Sequence, residues 1–212
     1  MSNSKQDDVV ASKDSSIVIT TNTEESLLLN EPDLDDEDSS LDALETESFD
    51  NLNLSKNVLK AIKDLGFESP TPIQIKSIPV ILSGKDMIGQ AQTGTGKTAA
   101  FALPILSNIK GKPKHIVSLV LEPTRELAIQ VAESFQNFAK YINDFRVTPI
   151  YGGASYENQI RSLKHGAHVV VATPGRLIDL IEKGKLDLSE VRYMVIDEAD
   201  EMLRMGFIDD VD

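Results

Sequence analysis

The sequence predicts an α/β fold, a parallel sheet with helices on both faces, preceded by a disordered acidic tail. Three observations lead there. From Phe49 onward, apolar runs of strand length alternate with amphipathic runs of helical period, as they do when helices cross between parallel strands. A Gly-rich stretch over residues 91–98 falls between one such strand and a helix. A later apolar run, Val195-Ile196, ends directly in acids. Open sheets of this kind gather ligands at the carboxyl ends of their strands, where both features fall.

The elements follow in order. Ser55 can cap a helix whose apolar positions Val58, Leu59, Ile62 and Leu65 recur at helical spacing, with Gly66 as its stop. Residues 73–82 read as a second helix that Pro79 bends or breaks. Residues 86–89 form a short strand, and a helix runs from Lys97 to about Ile109. Residues 116–121 are a continuous apolar strand, and 126–141 an amphipathic helix. Further strands near 146–150, 168–172 and 193–196 alternate with helices near 156–163 and 176–182. No repeat of domain-building length interrupts this order.

Charge is divided unevenly. Residues 1–48 hold 14 of the 34 acids and 2 of the 21 basic residues, so the tail carries −12 of the net −13 and the body is close to neutral. Such a tail buries too little apolar area to offset its ordering entropy, although Ile17-Val18-Ile19 could serve as a short binding element. A near-neutral body leaves room for a local basic face on nucleic acid. The chain has no cysteine, which excludes disulfides and thiolate metal sites and suits the cytosol. It has no apolar run long enough to span a membrane, and no secretory signal opens it. A cytoplasmic location without membrane partners is the expectation. His115, His165 and His168 lack metal-ligand spacing and read as structural or surface residues.

Ala91, Gln92, Thr93, Gly94, Thr95, Gly96, Lys97 and Thr98 have the context of a phosphate-binding loop, after a strand and opening a helix. The glycines let backbone N–H groups approach phosphate oxygens, and the helix end adds a positive dipole. Lys97 is suited to neutralise the β- and γ-phosphates, and the Thr98 hydroxyl to ligate Mg²⁺. Ala91 stands where the general pattern has glycine. At the end of the later strand, Asp197 is placed to hold Mg²⁺ through water and Glu198 to orient and deprotonate an attacking water. The same acids would also suit an ordinary solvated helix start.

Asp197-Glu198-Ala199-Asp200 joined to Ala91–Thr98 resembles the DEAD-box family of superfamily-two RNA helicases. The resemblance covers Phe49 to Asp212, and Glu201 to Ile208 is most similar to the bacterial cold-shock members. It implies a RecA-like sheet, ATP and Mg²⁺ as cofactors, and hydrolysis of ATP coupled to local unwinding of RNA duplexes. Gly66-Phe67 with Pro70, Thr71 and Gln74 is similar to the family's Q motif, in which the glutamine reads adenine, and Phe49 stands where the family has an aromatic on the base. A glutamine amide can pair with N6 and N7 of adenine in a way guanine cannot match, worth about 1–3 kcal/mol. Pro123-Thr124-Arg125, Gly152-Gly153 and Thr173-Pro174-Gly175-Arg176 resemble the elements that hold the RNA backbone, which implies recognition of shape rather than sequence. Ribosome-assembly or RNA-decay factors are the partner proteins the resemblance implies.

On this reading 1–48 is the tail, 49–76 the Q-motif region and 77–212 a RecA-like ATP-binding domain. No Ser-Ala-Thr motif and no second RecA-like domain follow the acids. The resemblance implies that the second domain brings an arginine finger worth about 10³–10⁵ in rate. It also places the Ser-Ala-Thr strand between those leading to Ala91 and Asp197. A central gap, poor stability and little or no turnover are therefore expected of this chain alone. A non-catalytic nucleotide- or RNA-binding fragment is the alternative reading, and a DNA translocase of the same superfamily a further one.

Overall fold

The computed structural model describes residues 16–21 and 48–206. Six parallel strands, β1 (Ser16–Thr21), β2 (Met87–Gln90), β3 (Ser118–Leu121), β4 (Val147–Ile150), β5 (Val169–Ala172) and β6 (Tyr193–Ile196), form one sheet in the order β2-β1-β6-β3-β5-β4. The expected parallel sheet with helices on both faces is present.

Alternation along the strands builds two cores. Val120, Val169, Val171 and Val195 face one side, where α1 (Lys56–Asp64), α2 (Pro72–Leu82), α3 (Lys97–Asn108) and α4 (Arg125–Phe138) cover them. Leu119, Leu121, Val170 and Ala172 face the other, under α5 (Tyr156–Lys164), α6 (Pro174–Glu182) and α7 (Ala199–Arg204). Helix starts follow local chemistry: the hydroxyls of Ser55, Thr124 and Ser155 accept from the N–H groups of Val58, Leu127 and Asn158.

Several expectations need correction. Leu65 lies past the end of α1 and is exposed, and Ala61 takes its place in the buried stripe. Pro79, on the exposed face of α2, does not break the helix, which continues to Leu82. A turn of 3-10 helix at Phe49–Leu52, capped by Ser48, also escaped the periodicity. His168 is structural as expected: it is buried, stacked on Phe145, and bridges the Arg146 N–H and the Gly111 carbonyl.

The largest difference is β1. Ser16–Thr21 lies inside the segment read as a disordered tail, yet it forms an interior strand between β2 and β6. It stands between the strands leading to Ala91 and Asp197, so the expected central gap is filled. The rest of the 1–48 tail lies outside the described residues, as do residues 207–212.

Gly166 turns the chain from α5 into β5 at φ +87°, and a Cβ there would lie 2.2 Å from the Pro113 carbonyl oxygen. Backbone cannot yield as a side chain does, so Gly166→Ala is expected to destabilise by about 2 kcal/mol or more, read as a lower midpoint in urea with unchanged slope. An unchanged midpoint would mean that the loop around Pro113 moves freely.

Candidate functional site

The phosphate-loop residues leave β2 at Gln90 and enter α3 at Lys97. Thr95 closes a turn by donating its hydroxyl to the Gln92 carbonyl at 2.7 Å. Gly96 caps α3 at φ +87°, a left-handed conformation that suits glycine. A Cβ on Gly96 would also stand 2.3 Å from Gln74 Nε2. Gln74 comes that close because it is 2% exposed and doubly bound, donating to the Gly96 carbonyl at 3.2 Å and accepting from the Thr71 N–H at 3.0 Å. Gln74 is thus tied to the loop of residues 91–98. Phe49 is buried and its ring meets Phe67, which packs edge-on against Phe138.

Across the carboxyl edge, Lys97 Nζ meets Glu198 Oε1 at 3.1 Å with both side chains largely buried. The two residues follow β2 and β6, which are not neighbours; β1 lies between them. Glu198 has φ 49°, ψ 46°, a left-handed conformation that costs a residue with a Cβ about 1 kcal/mol or more. Asp197 is 4% exposed, and its Oδ1 accepts from the Glu198 N–H at 3.0 Å. Burial raises the Glu198 carboxyl above its ordinary value, Lys97 draws it down, and the charges of Asp197 and Asp200 push it up again.

Glu122 belongs with these acids and was not singled out from the sequence. It follows β3 as Asp197 follows β6, and the register Leu121↔Ile196 sets the two acids side by side. It is fully buried, and neither carboxylate oxygen has a hydrogen-bond partner. Burial holds its pKa well above 4.5, the charges of Asp197 and Glu198 add to that, and Lys97 opposes it. The available signal was positional: an acid one residue beyond an apolar strand, matching Asp197.

The expected RNA-contacting residues gather farther along the same edge, where the chain leaves β3, β4 and β5. Thr124 and Thr173 cap α4 and α6, with Pro174 in the first turn of α6. Arg125 stacks over the Tyr151 ring at 5.0 Å, and its Nη1 approaches Gly153, where a Cβ would lie 3.9 Å away. Arg176 lies over the Tyr156 ring and donates to Gln159 Oε1 at 3.1 Å. Gln159 in turn donates to the Tyr151 carbonyl at 2.9 Å. Gln159 and the two tyrosines were missed because nothing in their local pattern marks them; only the fold joins them to the arginines. Gly152, Gly153 and Gly175 are exposed.

Among the described residues, no group of three or more His, Cys, Asp or Glu is arranged to hold a metal ion. Mg²⁺ needs no such cage, since it commonly keeps its waters and takes one or two protein oxygens with the phosphates. Half-buried Thr98 and buried Asp197, near the Lys97–Glu198 pair, fit that donor set. No helix among the described residues is long and apolar enough to cross a membrane.

The model of the DEAD/DEAH box helicase family matches residues 71–212. ATP-dependent RNA helicase DeaD of Haemophilus influenzae is 58% identical over 165 residues, 78% of this chain and 27% of that protein. The Escherichia coli K12 protein of the same name is 52% identical, over 78% of this chain and 26% of its own length. The chain therefore spans about a quarter of these relatives. A crystal structure of a DEAD box protein from Methanococcus jannaschii superposes with a TM-score of 0.73 at 48% identity, covering 77% of this chain and 45% of that one.

Because the folded-state pKa of Glu122 lies above the unfolded value, the native chain holds a proton that the unfolded chain has released. Stability contributed there is lost as pH rises above 4.5 toward the raised value. As pH rises above 4.5, Glu122→Gln is expected to flatten the fall in Tm shown by the unsubstituted chain. Parallel curves would show an ordinary carboxyl.

Proposed function

The chain belongs to the DEAD/DEAH box helicase family, and we propose that it supplies the ATP site and part of the RNA site of an ATP-dependent RNA helicase of the bacterial cold-shock kind. One observation carries this reading: Lys97 at the head of α3 faces Glu198 at the end of β6, in a buried edge that also holds Asp197.

Each residue then has a task. A nucleoside triphosphate entering the loop draws the Lys97 ammonium onto its β- and γ-phosphates, which releases Glu198 from its counter-ion. Partly desolvated and with a raised pKa, Glu198 is a better proton acceptor than an exposed carboxylate, and it sits where an attacking water would be oriented. Thr98 and Asp197 would hold Mg²⁺, which supplies charge neutralisation on the phosphates when bound. Gln74 with Thr71 forms the adenine end, backed by Phe67 and Phe49. Its hydrogen bond to Gly96 couples base recognition to the shape of the phosphate loop.

RNA lies along the adjoining edge. Arg125 and Arg176, each stacked on a tyrosine, present charge to the sugar–phosphate backbone, and Gly152-Gly153 and the starts of α4 and α6 offer N–H groups. Contacts of this kind recognise strand shape, and a bent strand would open a short duplex. A cytoplasmic location, a Q-motif region over residues 49–76, and ribosome-assembly or RNA-decay partners belong to the same proposal.

Calorimetric titration with Mg·ATP tests the nucleotide site. Lys97→Ala should abolish binding. Glu198→Gln should bind as tightly as the unsubstituted chain or up to roughly tenfold tighter, since no ion pair must be broken, while RNA-stimulated hydrolysis falls by about a hundredfold or more. Equal affinity of the Lys97→Ala variant would refute the site. For RNA, Arg125→Ala and Arg176→Ala should each weaken binding by roughly tenfold across unrelated sequences and lower the salt slope by about one. Loss confined to one sequence, or equal affinity for the matching DNA strand, would count against a backbone-directed RNA site.

A further inference from the structure

We propose that the amino edge of the sheet is a second contact surface for RNA, where Lys112, Lys114 and Lys185 hold the phosphates of a strand that leaves the first edge over α6. The inference rests on reading the arginine–tyrosine edge as an RNA site.

Because β3, β5 and β6 run parallel, the segments that lead into them lie together at the edge opposite the acids. Residues 109–117, 161–168 and 183–192 hold eight basic residues and two acids. The body as a whole is close to neutral, so this excess is local. Among these segments lies a cleft of about 210 Å³, lined by Lys114 and His115 from the first, Lys164 from the second and Lys185 from the third. Asp187 also lines it, and its carboxylate accepts from the Ser189 N–H at 3.0 Å. Lys112, Lys114, Lys164 and Lys185 are exposed, and among the described residues none of them forms a salt bridge.

Lysines at helix ends complement the helix dipole, which accounts for Lys164 and Lys183 at the ends of α5 and α6. It does not account for Lys112 and Lys114, which lie beyond the last turn of α3. Those two flank Pro113 in a loop that is held in place. His168 Nε2 meets the Gly111 carbonyl at 3.2 Å, and Gly166 passes so near that a Cβ on it would lie 2.2 Å from the Pro113 carbonyl oxygen. The charges therefore stand beside Lys164 before a ligand arrives, which lowers the ordering cost of binding.

Lys183 joins the two edges. Its Nζ lies 4.9 Å from the centre of the Tyr156 ring, the ring that Arg176 also covers. Arg176 and Lys183 are seven residues apart, about 10 Å along α6, so positive charge continues from the first edge to the second. The chemistry favours RNA over an acidic protein. Protein interfaces are anchored by aromatic residues and arginine and are poor in lysine, and the cleft has no Phe, Tyr, Trp or Arg in its lining. Flexible ammonium groups suit a phosphate backbone of any sequence.

Binding of a long and a short single-stranded RNA to the whole chain tests this, the short one reaching only the first edge. Lys112→Gln, Lys114→Gln and Lys185→Gln together should weaken the long strand by roughly tenfold or more and lower its salt slope by about two, with the short strand unaffected. Unchanged affinity and slope for the long strand would overturn the proposal, and so would an equal loss for the short one. Lysine acetylation read by mass spectrometry reports the contact itself: the long RNA should slow modification of Lys112, Lys114 and Lys185 in the unsubstituted chain. Shielding of these lysines by polyglutamate but not by RNA would assign the edge to an acidic protein and sink the idea. Failure of the first edge looks different, because Arg125→Ala and Arg176→Ala would then leave RNA affinity unchanged while the triple lysine variant still reduced it.

Discussion

Everything at the carboxyl edge depends on one ion pair whose partners stand two strands apart. Lys97 and Glu198 meet at 3.1 Å across an edge where β2 and β6 run in the same direction, with Ile88 and Ile196 level through Ile19 and β2 running two residues further. A parallel sheet provides that regularity: its strands share a polarity, and every crossover returns the chain to the same edge. The phosphate loop, the acid pair and the arginine–tyrosine cluster all sit where strands become helices. Helix starts there bring N–H groups and positive dipole ends to a common rim.

The electrostatics of that rim are unbalanced. Glu122, Asp197 and Glu198 gather beside Lys97, and two of the acids are almost wholly buried. Such a set is stable only if some charge is removed, by a proton on the most buried group or by a cation. The raised pKa of Glu122 is the proton solution for one member. Asp197 and Glu198 instead lean on a backbone N–H and on Lys97. Under the proposed function, phosphates would compete with these acids for the Lys97 ammonium.

How legible this was depended on the range of each interaction. The loop, the Asp-Glu pair and the helix caps are local patterns, and Ser55, Lys97 and Glu198 sit where their neighbours in sequence implied. Gln74 was singled out in the sequence, but its grip on Gly96 was not legible there, because that contact joins residues on different elements. Glu122 and Gln159 became visible only when β3 was set beside β6, and α5 beside α6. β1 was hidden for a sharper reason. A parallel strand gains its hydrogen bonds from distant segments, so six residues among acids look solvated until their neighbours are known. Pro79 read locally as a bend or a break, yet α2 runs on past it to Leu82.

The pairing of Ser16 with Tyr193 has a consequence for synthesis. A ribosome releases β1 long before its partner β6, and β3, β4 and β5 with their helices emerge between the two. Closing so long a loop is slow, and it cannot precede its partner's exit. The nascent polypeptide thus can pair β3 with β5 before β6 joins them, so the edge that carries Lys97 and Glu198 takes shape only after most of the sheet's other strands have emerged.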